Sequence, residues 1–193
     1  KSRGHVLLAG NGASSSISST IGFKLAFESG VRAVALSDPN LIVGATRKTS
    51  YSGWISLALE SLAIPGDVLF LTSSSGESEN IVEALQYGAH IGLTTIGFSG
   101  FAETNSLASR ASHSLWVDSL SYNVVESAHL AAGLSLVESL KNDDLSAQDI
   151  LSSTADAIGT IASSSSWVDQ VMEFGGAAVR TVEEGRKLVF IGE

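Results

Sequence analysis

Two apolar runs in this sequence end in the same way. Val68-Leu69-Phe70-Leu71-Thr72 leads into Ser73-Ser74-Ser75-Gly76-Glu77-Ser78, and the periodic Ile81-Val82-x-x-Leu85 follows. Earlier, His5-Val6-Leu7-Leu8-Ala9 leads into Gly10-Asn11-Gly12-Ala13-Ser14-Ser15-Ser16. Each order reads strand, turn, helix. Such a turn aims Ser hydroxyls and the free N–H groups of a helix start at one point. A phosphate gains from both, and needs no lysine in the turn. Gly10 and Gly12 permit tight backbone geometry, while Ser14 to Ser16 supply hydroxyls or cap the next helix. Either turn alone reads as a plain N-cap, because Ser and Gly fill ordinary loops. The pair says more. In a parallel sheet both turns open at the carboxyl ends of strands, where ligands bind in such folds.

The same alternation runs through the chain. Strands are expected near His5–Ala9, Arg32–Leu36, Val68–Thr72, Leu93–Phe98 and Ser114–Val117. Helices are expected near Ser15–Glu28, Tyr51–Leu62, Glu79–His90, Ala102–Ala108 and Val124–Leu140. This is the pattern of an α/β fold, a five-stranded parallel sheet covered by helices on both faces. Asp38-Pro39-Asn40 reads as a turn that ends the second strand region. Arg47-Lys48 falls in the loop beyond it, as solvated charges or as a local basic patch for phosphate. Lys141-Asn142-Asp143-Asp144 breaks the pattern and reads as a solvated linker. After it, Ala147–Ser163 and Trp167–Glu184 read as two helices, and Lys187–Gly192 as a strand.

A chain of 193 residues with 44% hydrophobic content can bury a sizeable core. Its net charge of −9 argues against nonspecific binding to nucleic acid or to an anionic membrane. That charge leaves an anionic ligand possible, since hydroxyls and helix termini hold phosphate locally. Zero cysteines exclude disulfides and thiolate-bound zinc and fit a cytoplasmic protein. No stretch is apolar for long enough to cross a bilayer, and Lys1-Ser2-Arg3-Gly4 shows no signal peptide.

The turns also carry a family resemblance. Gly10-Asn11-Gly12-Ala13-Ser14 resembles the GNGGS turn of SIS (sugar isomerase) domains, in the layout of phosphoheptose isomerases. Pro65-Gly66-Asp67-Val68-Leu69 with Ser73 to Ser78 resembles their PGDVL…STSGNS segment, and Val125-Glu126-Ser127-Ala128-His129-Leu130 the VQEAHL start of their last core helix. The resemblance covers residues 1 to about 141, with the motifs in the family's order. It implies a three-layer SIS fold over 1–141, a sugar phosphate as ligand, and a homo-oligomer (dimer or tetramer) packed through helices. The implied phosphosugar contacts are Asn11, Gly12, Ser14, Ser73, Ser74, Ser75, Ser78 and Asn123.

The catalytic positions depart from the pattern. Aldose–ketose isomerisation moves a proton between adjacent carbons, so it needs a base near carbon and an acid near oxygen. The resemblance implies four positions for this, which bind zinc in some members, and they are here Thr20, Lys24, Glu126 and Leu134. A Lys and a Leu cannot replace the family's Glu and His, and Glu126 alone would remain as a zinc ligand. No metal and no cofactor are therefore expected. Glu126, His129 and Glu77 are the remaining candidates for acid–base work. His129 follows Glu126 by three residues, so the two can share a helix face; its plainer reading is packing. Glu77 resembles the acid of the SGES form in other SIS isomerases, and reads otherwise as a first-turn acid complementing a helix dipole. Lys24 reads equally as a phosphate contact or a surface lysine. His5, His90 and His113 read as structural or exposed, and Trp54, Trp116 and Trp167 as core or interface.

Two function classes follow: a sugar-phosphate isomerase with a changed residue set, and a phosphosugar-binding regulator or scaffold without turnover. Residues 142–193 resemble the start of a second SIS copy, since Arg186–Gly192 echoes Gly4–Gly10. A truncated tandem, a permuted arrangement and a native helical tail are the three arrangements compatible with that echo, and the first is the expectation.

Overall fold

The computed structural model describes residues 4–141 and 146–164, together with residues 169, 172 and 173. Five strands, β1 (Val6–Gly10), β2 (Ala33–Ala35), β3 (Val68–Thr72), β4 (Thr94–Gly100) and β5 (His113–Val117), form one sheet. Their order is β2-β1-β3-β4-β5, and every neighbouring pair is parallel. The helices among the described residues are α1 (Ala13–Glu28), α2 (Pro39–Lys48), α3 (Trp54–Leu62), α4 (Glu79–His90), α5 (Ser106–Arg110), α6 (Tyr122–Lys141) and α7 (Ala147–Ser163). The expected α/β fold with a five-stranded parallel sheet is the one observed.

The strands read as continuous apolar runs because helices cover both faces of the sheet. Leu7, Leu69 and Leu71 pack with Trp54, Ile55 and Leu59 of α3, with Ile81 and Leu85 of α4, and with Leu107 of α5. The intervening positions serve the other face, where α1 and α6 pack together. There Leu8 and Phe70 are buried, and the Phe70 and Phe98 rings meet edge-on at 4.7 Å. Each such side chain contributes about 1.5–3 kcal/mol by leaving water.

At the opposite end of the sheet, Asp67 explains the Pro-Gly-Asp segment that precedes β3. Its carboxylate is fully buried and accepts from the His5 amide at 2.7 Å and the Ile64 amide at 3.0 Å. The start of β3 is thereby tied to the residue that leads into β1.

Several boundaries differ from expectation: α3 begins at Trp54 and leaves Tyr51 in the loop before it, and three further helix starts differ with a visible local cause. Asp38-Pro39 does not end in a turn and loop; it starts α2. Asp38 caps that helix through the Leu41 amide at 2.9 Å, and the proline takes the first helical turn, where its missing N–H does no harm. Arg47 and Lys48 therefore stand in the last turn of α2, where cations complement the helix dipole, and not in a loop. Helix α1 begins at Ala13 with Gly12 at its N-cap, so Ser14 to Ser16 lie inside the helix and do not cap it. Helix α5 begins only at Ser106, because Asn105 caps it through the Ala108 amide at 2.8 Å.

The chain divides into two compact units, Lys1–Ile150 and Leu151–Glu193. Helix α7 spans the expected Ala147–Ser163. The expected linker, apart from Lys141, lies outside the described residues. So do the expected terminal strand and the helix over 167–184, the latter apart from residues 169, 172 and 173. Among the described residues, no helix is long and apolar enough to cross a membrane.

Candidate functional site

The sheet order places β1 between β2 and β3. The chain thus leaves β1 to one side and builds β3 to β5 on the other, and the β1/β3 boundary is a topological switch point. The last paired residues of these strands, Gly10 and Thr72, lie opposite each other. The two serine-bearing turns therefore open side by side.

They line one cavity of about 100 Å³ with Asn11, Ser14, Ser73, Ser74, Ser75, Ser78, Tyr122 and Glu126. At about 30 Å³ per water this holds a phosphoryl-sized group. None of these lining residues is cationic. Gly12 sets the backbone of the first turn, with φ at +53°. Neither α1 nor α4 has a side-chain cap, although Ser78 occupies the N-cap position of α4. The positive end of each helix is left for another acceptor.

The serine hydroxyls differ in what they already do. Ser73 Oγ accepts from the Gly76 amide at 3.2 Å and lies 3.4 Å from Ser78 Oγ. Ser75 Oγ accepts from the Glu77 amide at 3.2 Å. Ser74 Oγ is buried and has no hydrogen-bond partner. An unpaired buried hydroxyl is unfavourable, and here it belongs to a residue lining the cavity that both turns share.

Of the three acid–base candidates, only Glu126 lines this cavity. Glu77 is exposed and committed to α5: Oε1 accepts from the Ser106 amide at 2.6 Å and Oε2 from the Ser106 hydroxyl at 2.8 Å. It complements the start of a helix dipole, but that of α5 and not of its own helix. His129 is fully buried against the Phe98 ring, and its Nε2 lies 3.0 Å from the Ser99 carbonyl oxygen. That acceptor requires the proton on Nε2, which leaves Nδ1 as a buried, unpartnered acceptor. Asn123 is exposed and does not line the cavity; Tyr122, one position earlier and about 100° around the helix, does.

Burial lowers the His129 pKa more than its bond to Ser99 raises it. The unfolded imidazole takes up a proton below about pH 6.5, where the native one resists it. Stability from this residue is thus complete above about pH 6.5 and falls as pH drops toward the lowered native value. Urea unfolding between pH 7.5 and pH 5 is expected to show this fall, and a smaller one in His129→Asn. Equal slopes in the two proteins would remove His129 as its source.

The positions implied by the family do not fit zinc. Lys24 pairs with Glu28 at 2.7 Å, in a surface network completed by Lys141 at 3.2 Å. Thr20 is exposed and Leu134 has no ligand atom. Among the described residues, no group of three or more His, Asp or Glu could hold a metal ion.

Two other residues join the site that the sequence did not single out. Asn80, in the first turn of α4, exchanges two amide hydrogen bonds with Asn11, at 2.9 and 2.8 Å. Tyr51 donates its phenol hydrogen to Asn11 Oδ1 at 3.1 Å. The signal for Asn80 was a polar residue placed directly before the buried face of a helix. Nothing local marked Tyr51, whose partner is 40 residues away.

Comparison with known proteins agrees with the fold. The SIS domain model matches residues 1–100. The phosphoheptose isomerase of Aquifex aeolicus is 30% identical over 139 residues, 69% of this chain and 72% of that protein. The probable phosphoheptose isomerase of Thermoplasma acidophilum is 33% identical over 99 residues, 51% of this chain and 54% of that protein. This chain thus spans about half the length of that relative. A solved phosphoheptose isomerase from Neisseria gonorrhoeae shares the fold with a TM-score of 0.66 at 22% identity, over 71% of this chain and 76% of that one. With a matching domain model, a curated relative aligned over most of its length and the same sheet architecture, this chain belongs to the SIS domain family.

Proposed function

We propose that this chain binds a sugar phosphate, with the phosphoryl group in the cavity between the two serine-bearing turns. The observation that carries this reading is the buried, unpartnered Ser74 hydroxyl beside two uncapped helix starts. A phosphoryl group supplies the acceptors that all three lack. The sugar then extends past Tyr122 and Glu126, which line the same cavity. The names of the curated relatives favour a heptose phosphate. A homo-oligomer and a cytoplasmic location belong to the same reading.

Binding without turnover is the function this site supports best, because Glu126 is the only carboxylate lining the cavity. A second reading, isomerisation through a changed residue set, rests on one feature. Glu126 has no hydrogen-bonding or ionic partner among the described residues, so its oxygens stay available to take a proton from a carbon next to a carbonyl.

Proton NMR in heavy water separates the two, using a panel of aldose and ketose phosphates that includes sedoheptulose 7-phosphate. Ligand line broadening without exchange of the proton next to the carbonyl is expected. Exchange with any one sugar would establish isomerisation, and Glu126→Gln should then abolish it, by about 100-fold or more, while sparing binding. No broadening with any sugar would overturn the phosphosugar assignment.

A further inference from the structure

Asn11 is the one residue of the first turn whose side-chain hydrogen bonds reach the segment after β3. Its amide can be counted out in full. A carbonyl oxygen offers two lone pairs and an amide nitrogen two hydrogens. Asn11 Oδ1 accepts from Asn80 Nδ2 at 2.8 Å and from the Tyr51 hydroxyl at 3.1 Å. Asn11 Nδ2 donates to Asn80 Oδ1 at 2.9 Å. Both acceptor positions are used and one hydrogen is spent. A single N–H remains on a side chain that lines the cavity.

We infer that Asn80 and Tyr51 are positioning residues that act on the ligand through Asn11. This rests on the sugar-phosphate reading and adds a polarity to it. Held in this way, Asn11 meets the ligand only as a donor, and so selects an acceptor oxygen such as a phosphoryl or carbonyl oxygen. Asn80 is 1% exposed and does not line the cavity, so it reaches the ligand only through its partner. Tyr51 enters through the second acceptor position of that amide, since its hydroxyl donates to Asn11 Oδ1 alongside Asn80 Nδ2. The three residues come from the turn after β1, the loop before α3 and the first turn of α4. The clasp therefore also holds the two phosphate turns in register across the switch point.

Calorimetric titration with sedoheptulose 7-phosphate, and with inorganic phosphate as a second probe, tests this on the full chain. Tyr51 is largely exposed, so Tyr51→Phe should leave the melting temperature within about 1 °C. It should weaken binding by about three- to tenfold, the range of one neutral hydrogen bond. Asn11→Ala should weaken it by about tenfold, and the double variant should be no weaker than Asn11→Ala alone, because Tyr51 acts only through that amide. Asn80→Ala should behave like Asn11→Ala in binding and also melt lower, as a buried polar partner is lost. Wild-type affinity in Tyr51→Phe, or additive losses in the double variant, would overturn the positioning role while leaving the sugar-phosphate reading intact. Failure of the wild-type protein to bind either probe would overturn both.

Discussion

Gly76→Ala is expected to destabilise the protein by roughly 3 kcal/mol and to abolish ligand binding at the second turn. Two effects add. Gly76 has φ at +66°, where an L side chain is strained by about 1–2 kcal/mol. A Cβ there would also overlap the Asn105 side-chain amide. That amide cannot yield cheaply. Asn105 is 2% exposed, donates to Ser99 Oγ at 3.1 Å, to the Gly100 carbonyl at 3.1 Å and to the Ala102 carbonyl at 2.7 Å, and caps α5 through the Ala108 amide at 2.8 Å. Moving it would disturb the end of β4 and the start of α5 together. Gly30→Ala, just past the end of α1, is the control, since its φ is +67° but nothing lies within 4 Å of the added carbon. That variant should lose only about 1 kcal/mol. Urea denaturation of the two variants measures the difference, and equal losses would show that Asn105 gives way.

Ser74→Ala should move stability and binding in opposite directions. In the free protein its hydroxyl is buried without a partner, so removing it relieves an unpaired polar group. The expected gain is up to about 1 kcal/mol. With a phosphoryl group bound, the same hydroxyl donates to a charged acceptor, and its loss should weaken binding by tenfold or more, the range of about 1.5–3 kcal/mol for such bonds. Ser73→Ala should differ in sign on the first count. Its oxygen accepts from the Gly76 amide at 3.2 Å, so that variant should lose about 1 kcal/mol as well as affinity. Thermal melting with and without sedoheptulose 7-phosphate reads both quantities. A Ser74→Ala protein that melts lower when free and binds as tightly as wild type would remove Ser74 from the site.

These expectations show how far local pattern carries. Apolar runs such as His5–Ala9 and Val68–Thr72 were legible as strands because a strand covered on both faces needs little else. The serine turns were legible because helix starts demand acceptors and donors in a known order. The Asp38-Pro39 helix start reads as a turn in the sequence, since the same dipeptide begins turns and helices alike and only the bond to the Leu41 amide separates them. Glu77 and Glu126 were indistinguishable as acids on paper. Their difference lies in Ser106, which is 29 residues from Glu77 and occupies both of its oxygens. His129 was placed on the right helix, but its direction into the core depended on the Ser99 carbonyl across the sheet.

By itself the sequence determined the strand–turn–helix units, the parallel α/β class, the family and the turns that carry the hydroxyls. Each of these is written in neighbours a few residues apart, through side-chain period, glycine torsion and helix-start chemistry. The tertiary structure decided which of those groups remain available. Ser74 and Glu126 are left unpaired at the cavity, while Glu77 and His129 are spent elsewhere and Asn11 is held by Asn80 and Tyr51. A hydrogen-bonding valence is used or spared only when distant segments meet, and those partners lie 29 to 69 residues away in the chain.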